Sequence, residues 1–269
     1  MKKYDYSNLK GDEQVTHNWA PLKFKIKDNY KYVLDNKLFR LISNVLSLPI
    51  FVILYIIDKI FFGFSVVGKE KIVDDKGFVS ISNHIHYLDC TLIGLIYYPG
   101  RVHYPTLEEN FKIPVVRKLI RLLYAMPISK ERKKKNKFYS EIMNAFKGKF
   151  ILHMYPEAAM WPYYEKIREF KYGAFKIVVD SNVGVQPIRF VFTKSSRIYK
   201  IYKRKKCICA VVLNPLYPNM ELEYRDRIED LRNKTYEVMN KEIDLWKCWY
   251  YLVVLVGVII LVLDILKKN

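Results

Sequence analysis

Between residues 77 and 213 short apolar runs of strand length alternate with stretches of helix length, and this alternation limits the chain to an α/β domain. Gly77-Phe78-Val79-Ser80-Ile81 reads as a buried strand. Residues 88–98 read as a helix stopped by Pro99-Gly100. Further strands are expected at 101–106, 125–129, 149–155 and 183–192, with one or two more within 196–213. Helical patterns fill 115–124, 134–146 and 172–181 between them, and a charged amphipathic helix is expected over 221–245. The predicted fold class is α/β, a mainly parallel mixed sheet flanked by helices.

Two apolar segments lie outside this alternation. The first, 38–67, is densest at 45–57 and is interrupted by Asp58 and Lys59, which suits a membrane-associating helical segment better than a simple span. The second has an uncharged part at 248–263, framed by Trp249-Tyr250-Tyr251 and by Lys267-Lys268. Aromatic residues and lysines at the two ends are interface anchors, and Val, Ile and Leu on every face leave no side for water. A transmembrane helix over 248–266 is therefore expected, the alternative being a C-terminal helix packed on the domain. The predicted organisation is a polar segment at 1–37, the membrane-associating segment at 38–67, the α/β domain at 68–220, an amphipathic helix at 221–247 and the transmembrane helix.

The net charge of +19 calls for an anionic partner. Basic residues cluster at 117–137 and 194–206, and an anionic membrane surface explains them together with the apolar segments. No helix-turn-helix, zinc-finger or RNA-binding signature supports nucleic acid. Cys90, Cys207, Cys209 and Cys248 form no CxxC pair and read as reduced thiols. His17, Trp19 and Pro21 are assigned no chemistry.

The chemistry concentrates at Asn83-His84-Ile85-His86-Tyr87-Leu88-Asp89, directly after the first buried strand. A histidine moves protons near neutral pH, and a nearby carboxylate can fix its tautomer and stabilise its imidazolium. The pair is a general base without a nucleophile of its own, so the nucleophile must belong to a substrate. His86 is the weaker alternative base, while His103 and His153 sit in apolar strands as core residues. Three more blocks follow in order. Tyr155-Pro156-Glu157 closes a strand, Phe170-Lys171-Tyr172-Gly173-Ala174 opens a helix, and Gln186-Pro187-Ile188 lies in a strand. A carboxylate just beyond a strand's carboxyl end sits where open α/β sheets bind ligands. A helix start favours anions.

Together these blocks resemble the glycerolipid acyltransferase family. Asn83, His84 and Asp89 match its Asn-His-x4-Asp hallmark. Tyr155-Pro156-Glu157 matches part of its Phe-Pro-Glu-Gly block. Phe170, Lys171, Gly173 and Ala174 match its Phe-Lys-x-Gly-Ala segment. Residues 69–192 carry the resemblance. Two departures bear on the acceptor lipid. The family's arginine after Pro-Glu-Gly-Thr is missing, and Lys130 stands where an arginine is usual. Lys166, Arg168 and Lys171 are the possible substitutes.

The resemblance implies a membrane-bound acyltransferase of phospholipid biosynthesis. It would move a fatty acyl group from an acyl thioester, acyl-CoA or acyl carrier protein, to a lysophospholipid hydroxyl, with 1-acylglycerol-3-phosphate the first choice. His84 and Asp89 would be catalytic. Asn83, Lys130, Glu157, Lys171 and Gly173 would bind substrate. No metal and no cofactor is expected beyond the thioester co-substrate, and no nucleic acid. Because thioester donors are cytosolic, the domain is expected at the cytoplasmic membrane, facing the cytoplasm. The alternatives are another lysolipid or glycolipid acceptor, or a lipid-binding scaffold without catalysis. A hydrolase acting on water is less favoured, since a serine hydrolase would need a Gly-x-Ser-x-Gly elbow and none is present.

Overall fold

The computed structural model describes residues 6–15, 24–34, 36–73, 76–194 and 206–243. The expected 248–266 helix, most of the 194–206 cluster, and His17, Trp19 and Pro21 lie outside these residues.

The apolar segment at 38–67 forms α1 over Lys37–Phe62. Asn36 caps its start by accepting a hydrogen bond from the Leu38 N–H at 2.8 Å. Gly63 ends it in the left-handed conformation, φ 56°, where a side chain would be strained. The remainder of the segment leaves the helix and becomes a strand, β1 at Ser65–Val67. A three-residue strand is too short to show a period of its own in the sequence.

The alternation then unfolds as β2 (Phe78–Ser82), α2 (Asp89–Tyr97), β3 (Val102–Leu107), α3 (Pro114–Leu122), β4 (Ala125–Ile128), α4 (Arg132–Ala145), β5 (Ile151–Met154), α5 (Gly173–Ser181), β6 (Gly184–Lys194), β7 (Lys206–Val212) and α6 (Tyr224–Asn240). One seven-stranded sheet collects the strands in the order β1-β7-β6-β2-β5-β3-β4. Every pair is parallel except β6 with β7. The expected mainly parallel mixed sheet is what forms, with β2 at its centre between β5 and β6.

The alternation of β2 explains the layers. Val79 and Ile81 enter a core with Phe138 and Ile142 of α4, Phe175 and Val178 of α5, and Ile228 and Leu231 of α6. Phe78 points to the other side, into a core with Leu92, Ile93 and Ile96 of α2. Each of these fully buried aliphatic side chains contributes about 1.5–3 kcal/mol relative to exposure.

α1 packs outside α2. A Cβ on Gly94 would come within 2.8 Å of the Phe51 ring, so the glycine permits the close approach of the two helices. The residues of α1 that turn inward are Ser43, Ser47 and Asp58, with Phe51 and Leu54 half-buried between them. Their spacing marks one stripe along the helix. Leu41, Val45, Val52, Ile53 and Ile56 on other sides of α1 are exposed. Among the described residues α1 is the one helix long and apolar enough to cross a membrane.

Cys90 and Cys207 are thiols outside any disulfide, as expected. Cys209 is disulfide-bonded, which corrects the reading of four reduced thiols; sequence spacing does not report which sulfurs the fold brings together.

Candidate active site

The site lies beyond the carboxyl end of β2, at the middle of the sheet, where open α/β folds bind ligands. Ser80 and Ser82 occupy the α2 side of β2, and His84 follows them in the same alternation. α2 then starts at Asp89 and returns over that side. The intervening loop wraps around the Asp89 carboxylate. One oxygen, Oδ2, accepts from the Ile85 N–H at 2.7 Å, the His86 N–H at 2.9 Å and the His84 Nδ1 at 2.9 Å. The five-residue spacing is what lets a carboxylate in the first helical turn reach both loop amides and the ring. The helix start also favours its negative charge.

Asp89 is buried, whereas the His84 side chain keeps 21% of its surface. A carboxylate without a proton only accepts, so Nδ1 carries the imidazole hydrogen and Nε2 retains its lone pair. Among the described residues no hydroxyl or thiol is hydrogen-bonded to the His84 ring. The arrangement can therefore take a proton from a hydroxyl brought by a substrate and return it to a leaving group.

Glu157 joins the same centre from β5. Its Oε2 accepts the His84 backbone N–H at 3.2 Å and pairs with the Arg168 guanidinium at 2.7 Å, and its Oε1 accepts the Arg168 N–H at 3.0 Å. Burial pushes the Glu157 carboxyl above its ordinary range, while Arg168 and the two backbone donors pull the other way. Arg168 also donates to the carbonyls of Ala159 and Gly11 and lies over the Trp161 ring. The guanidinium is spent on the protein, so this candidate substitute for the missing arginine braces the loop.

The other expected substrate residues fall in different places. Asn83 is fully buried, and its amide exchanges two hydrogen bonds with the backbone of Phe190 at 2.8 and 2.9 Å. That side chain ties the end of β2 to β6 in place of facing a ligand. The Lys171 backbone N–H donates to Pro156 at 2.8 Å, which sets it beside the Glu157 block. Its ammonium pairs with Asp12 at 3.0 Å, both groups half-exposed, and it holds the Asp12 carboxyl below the usual range. Gly173 opens α5 with nothing within 4 Å of a Cβ placed there, so space does not demand a glycine. Lys130 is exposed beyond β4, three strands from β2, or about 14 Å at ~4.8 Å per strand. His86 turns its ring toward Phe62 and Tyr163, while its backbone N–H donates to the Asp89 carboxylate and its carbonyl accepts from the Asp89 N–H.

Three features escape a sequence reading. Tyr155 stacks on the His84 ring, centroids 3.8 Å apart and planes 12° from parallel. His153 lies buried beneath, hydrogen-bonded to Ser80 at 3.0 Å and Ser82 at 3.3 Å, with Tyr97 closing on Ser80 at 2.9 Å. Burial, and secondarily repulsion from a proton on His84, lowers the His153 pKa to about 3, so the ring stays neutral. Segment 6–15 straps the loop after Glu157: Tyr6 stacks on Trp161 at 4.9 Å, and the Trp161 Nε1–H donates to Glu13 at 3.0 Å. The advance signals were the aromatic residue ahead of Pro-Glu and the apolar strand around His153, neither of which named a partner. A cavity of about 600 Å³ opens between α1, α2, α3 and β3 and reaches Cys90, the residue after Asp89. Its lining includes Cys90, Phe51, Leu54, Val116 and Ile120.

A buried carboxylate holding a histidine ring at the end of the central parallel strand, with no hydroxyl or thiol bonded to that ring among the described residues, suits group transfer to a hydroxyl brought by a substrate. Residues 63–191, the stretch that holds the dyad and the Glu157 block, match the family model described as Acyltransferase, which supports an acyltransferase enzyme. No curated protein matches the chain. Among solved structures it is similar to the 1-acyl-sn-glycerophosphate (LPA) acyltransferase PlsC from Thermotoga maritima. The identity is 20%, the TM-score 0.50, and the match covers 79% of this chain and 86% of that one, a likeness of fold. Among the described residues no group of histidine, cysteine and carboxylate side chains could hold a metal ion.

Proposed function

We propose that this protein transfers a fatty acyl group from an acyl thioester, acyl-CoA or acyl carrier protein, to a hydroxyl of a lysophospholipid, with 1-acylglycerol-3-phosphate as the acceptor. The observation that carries the reading is the 2.9 Å contact of His84 Nδ1 with buried Asp89, which leaves Nε2 as an unoccupied base. The acceptor hydroxyl loses its proton to Nε2 as its oxygen attacks the thioester carbonyl. The tetrahedral intermediate collapses, the carbon–sulfur bond breaks, and the imidazolium returns the proton to the departing thiolate. Asp89 keeps the ring in the required tautomer and stabilises the imidazolium. Glu157 and Arg168 hold the loop that carries the His84 amide. The cavity beside Cys90 is within the roughly 300–1,000 Å³ range of ligand sites and offers apolar walls for an acyl chain.

The acceptor's phosphate has fewer cations at hand than the family motif would supply. Arg168 is committed internally and Lys130 stands at the sheet edge, which leaves Lys171, tied to the Glu157 block through its backbone and paired at its ammonium with exposed Asp12. Lys171→Gln should raise the acceptor KM about 3- to 10-fold for a phosphate-bearing lysolipid and leave the donor KM unchanged.

α1 supports a membrane setting. Its inward stripe runs from Ser43 to Asp58, so the helix lies along the domain with its exposed apolar side turned to one leaflet. The domain faces the cytoplasm, where thioester donors are found.

The test is incubation of membranes containing the protein with a labelled acyl thioester and a panel of lysolipids. Labelled phospholipid from wild type, and none from a folded His84→Ala variant, is the expected result. Full turnover by purified His84→Ala sinks the assignment. Free fatty acid points to hydrolysis, and no product from any acceptor to a lipid-binding scaffold.

A further inference from the structure

Tyr155 has no part in the mechanism above, yet it touches the His84 ring and the residue that follows Asp89. It follows β5 directly, and its ring lies flat on His84, centroids 3.8 Å apart and planes 12° from parallel. Its edge rests on His153 at 4.7 Å, with planes at 80°. Its hydroxyl donates to the Cys90 Sγ at 3.5 Å, and Cys90 follows Asp89 in the first turn of α2. One side chain thus spans from the floor under the base to the helix that carries its acid partner.

The His84 ring needs such a wall. Rotation about the terminal torsion of a histidine is broad, and a single hydrogen bond at Nδ1 leaves the ring free to rock about that bond. Its partly exposed side faces substrate, so the protein cannot confine it from there. A parallel ring at stacking distance removes the rocking and keeps Nε2 aimed along one line. The same face attracts the cation formed when Nε2 takes a proton.

We infer that Tyr155 is a positioning residue for His84, acting through the stacked ring, with the Cys90 contact holding that ring against α2. The inference rests on His84 being the base, and the experiment separates the two.

Full-length protein labelled with ¹⁵N-histidine is prepared in lipid nanodiscs as wild type, Tyr155→Phe, Tyr155→Leu and Tyr155→Met. A His84→Gln sample identifies the His84 signals. Ring nitrogen spectra and acyl-transfer kinetics are recorded on each. Tyr155→Phe keeps the wall, so the single Nδ1–H tautomer persists and kcat stays within about 3-fold. Tyr155→Leu frees the ring to rock about the Asp89 bond, so the Nδ1–H tautomer persists while the His84 ring-nitrogen signals broaden, and kcat falls about 10- to 100-fold with KM unchanged. Tyr155→Met, of similar length but without a π face, gives the same answer if the leucine variant does not fold. Wild-type line shapes and wild-type kcat in the folded Leu or Met variant overturn the inference. A raised KM with unchanged kcat also overturns it, because Tyr155 would then belong to the substrate pocket. If no variant, wild type included, transfers an acyl group, the functional reading fails while the spectra still decide the positioning role.

Discussion

Asp89 serves three donors with one oxygen, and all three belong to the five residues before it. That locality is why the dyad could be read from spacing: once a strand ends at Ser82 and a helix begins at Asp89, the loop between them has little choice. Glu157 and Arg168 behave differently. Their pairing closes an eleven-residue loop, and nothing in the sequence distinguished Arg168 from Lys166 or Lys171 as the partner. Burial decides it, since Arg168 is 6% exposed and Lys166 lies at the surface. Arg168→Met should cost about 3–5 kcal/mol of stability, because it leaves the Glu157 carboxylate buried without its partner. Chemical unfolding of the variant measures this. Combining it with Glu157→Gln should recover part of the loss, and a double variant no more stable than the single one contradicts the pairing.

β5 and α1 carry what is testable at the level of elements. His153 of β5 and His103 of β3 are both buried, and burial lowers each to about 3 from the ordinary 6.5. Between those values the unfolded chain binds protons that the native state refuses, so stability falls as pH drops from 6.5 toward 3. Tm measured across this window should decline steadily, and His153→Gln should flatten the decline. An unchanged slope in that variant argues against a neutral His153. Both histidines read as core residues from their apolar strands, but the serines that satisfy His153 became visible only once β2 and β5 were paired in register. α1 was legible as an apolar helix from composition. Its orientation was not, because the inward stripe of Ser43, Ser47 and Asp58 mixes polar residues into a run that looks uniform. Charging the exposed side with Ile53→Asp should weaken binding to lipid vesicles at least 10-fold with no loss of Tm, whereas Ser47→Asp should destabilise the fold. Equal effects on binding from the two variants would contradict the assigned sides.

For the whole molecule, the proposed membrane setting has the excess of positive charge and the apolar helix acting together on a leaflet. Each basic residue near an anionic leaflet contributes about 1 kcal/mol, and added salt screens it. Raising salt from about 0.05 to 0.5 M should release part of the protein from anionic vesicles, while α1 retains the rest. Complete release by salt would mean that α1 does not enter the leaflet. The sequence by itself determined the α/β class, most of the element order and the His84–Asp89 pair. Period and local spacing encode those, and neighbours along the chain satisfy them. Tertiary structure decided the rest: the reversal of direction between β6 and β7, Asn83 turned to Phe190, Arg168 chosen over two neighbouring lysines, and Tyr155 laid on His84. Each of these joins groups from separate strands and loops, and the energy that selects them, burial of polar atoms with or without a partner, exists only after the sheet has brought them together.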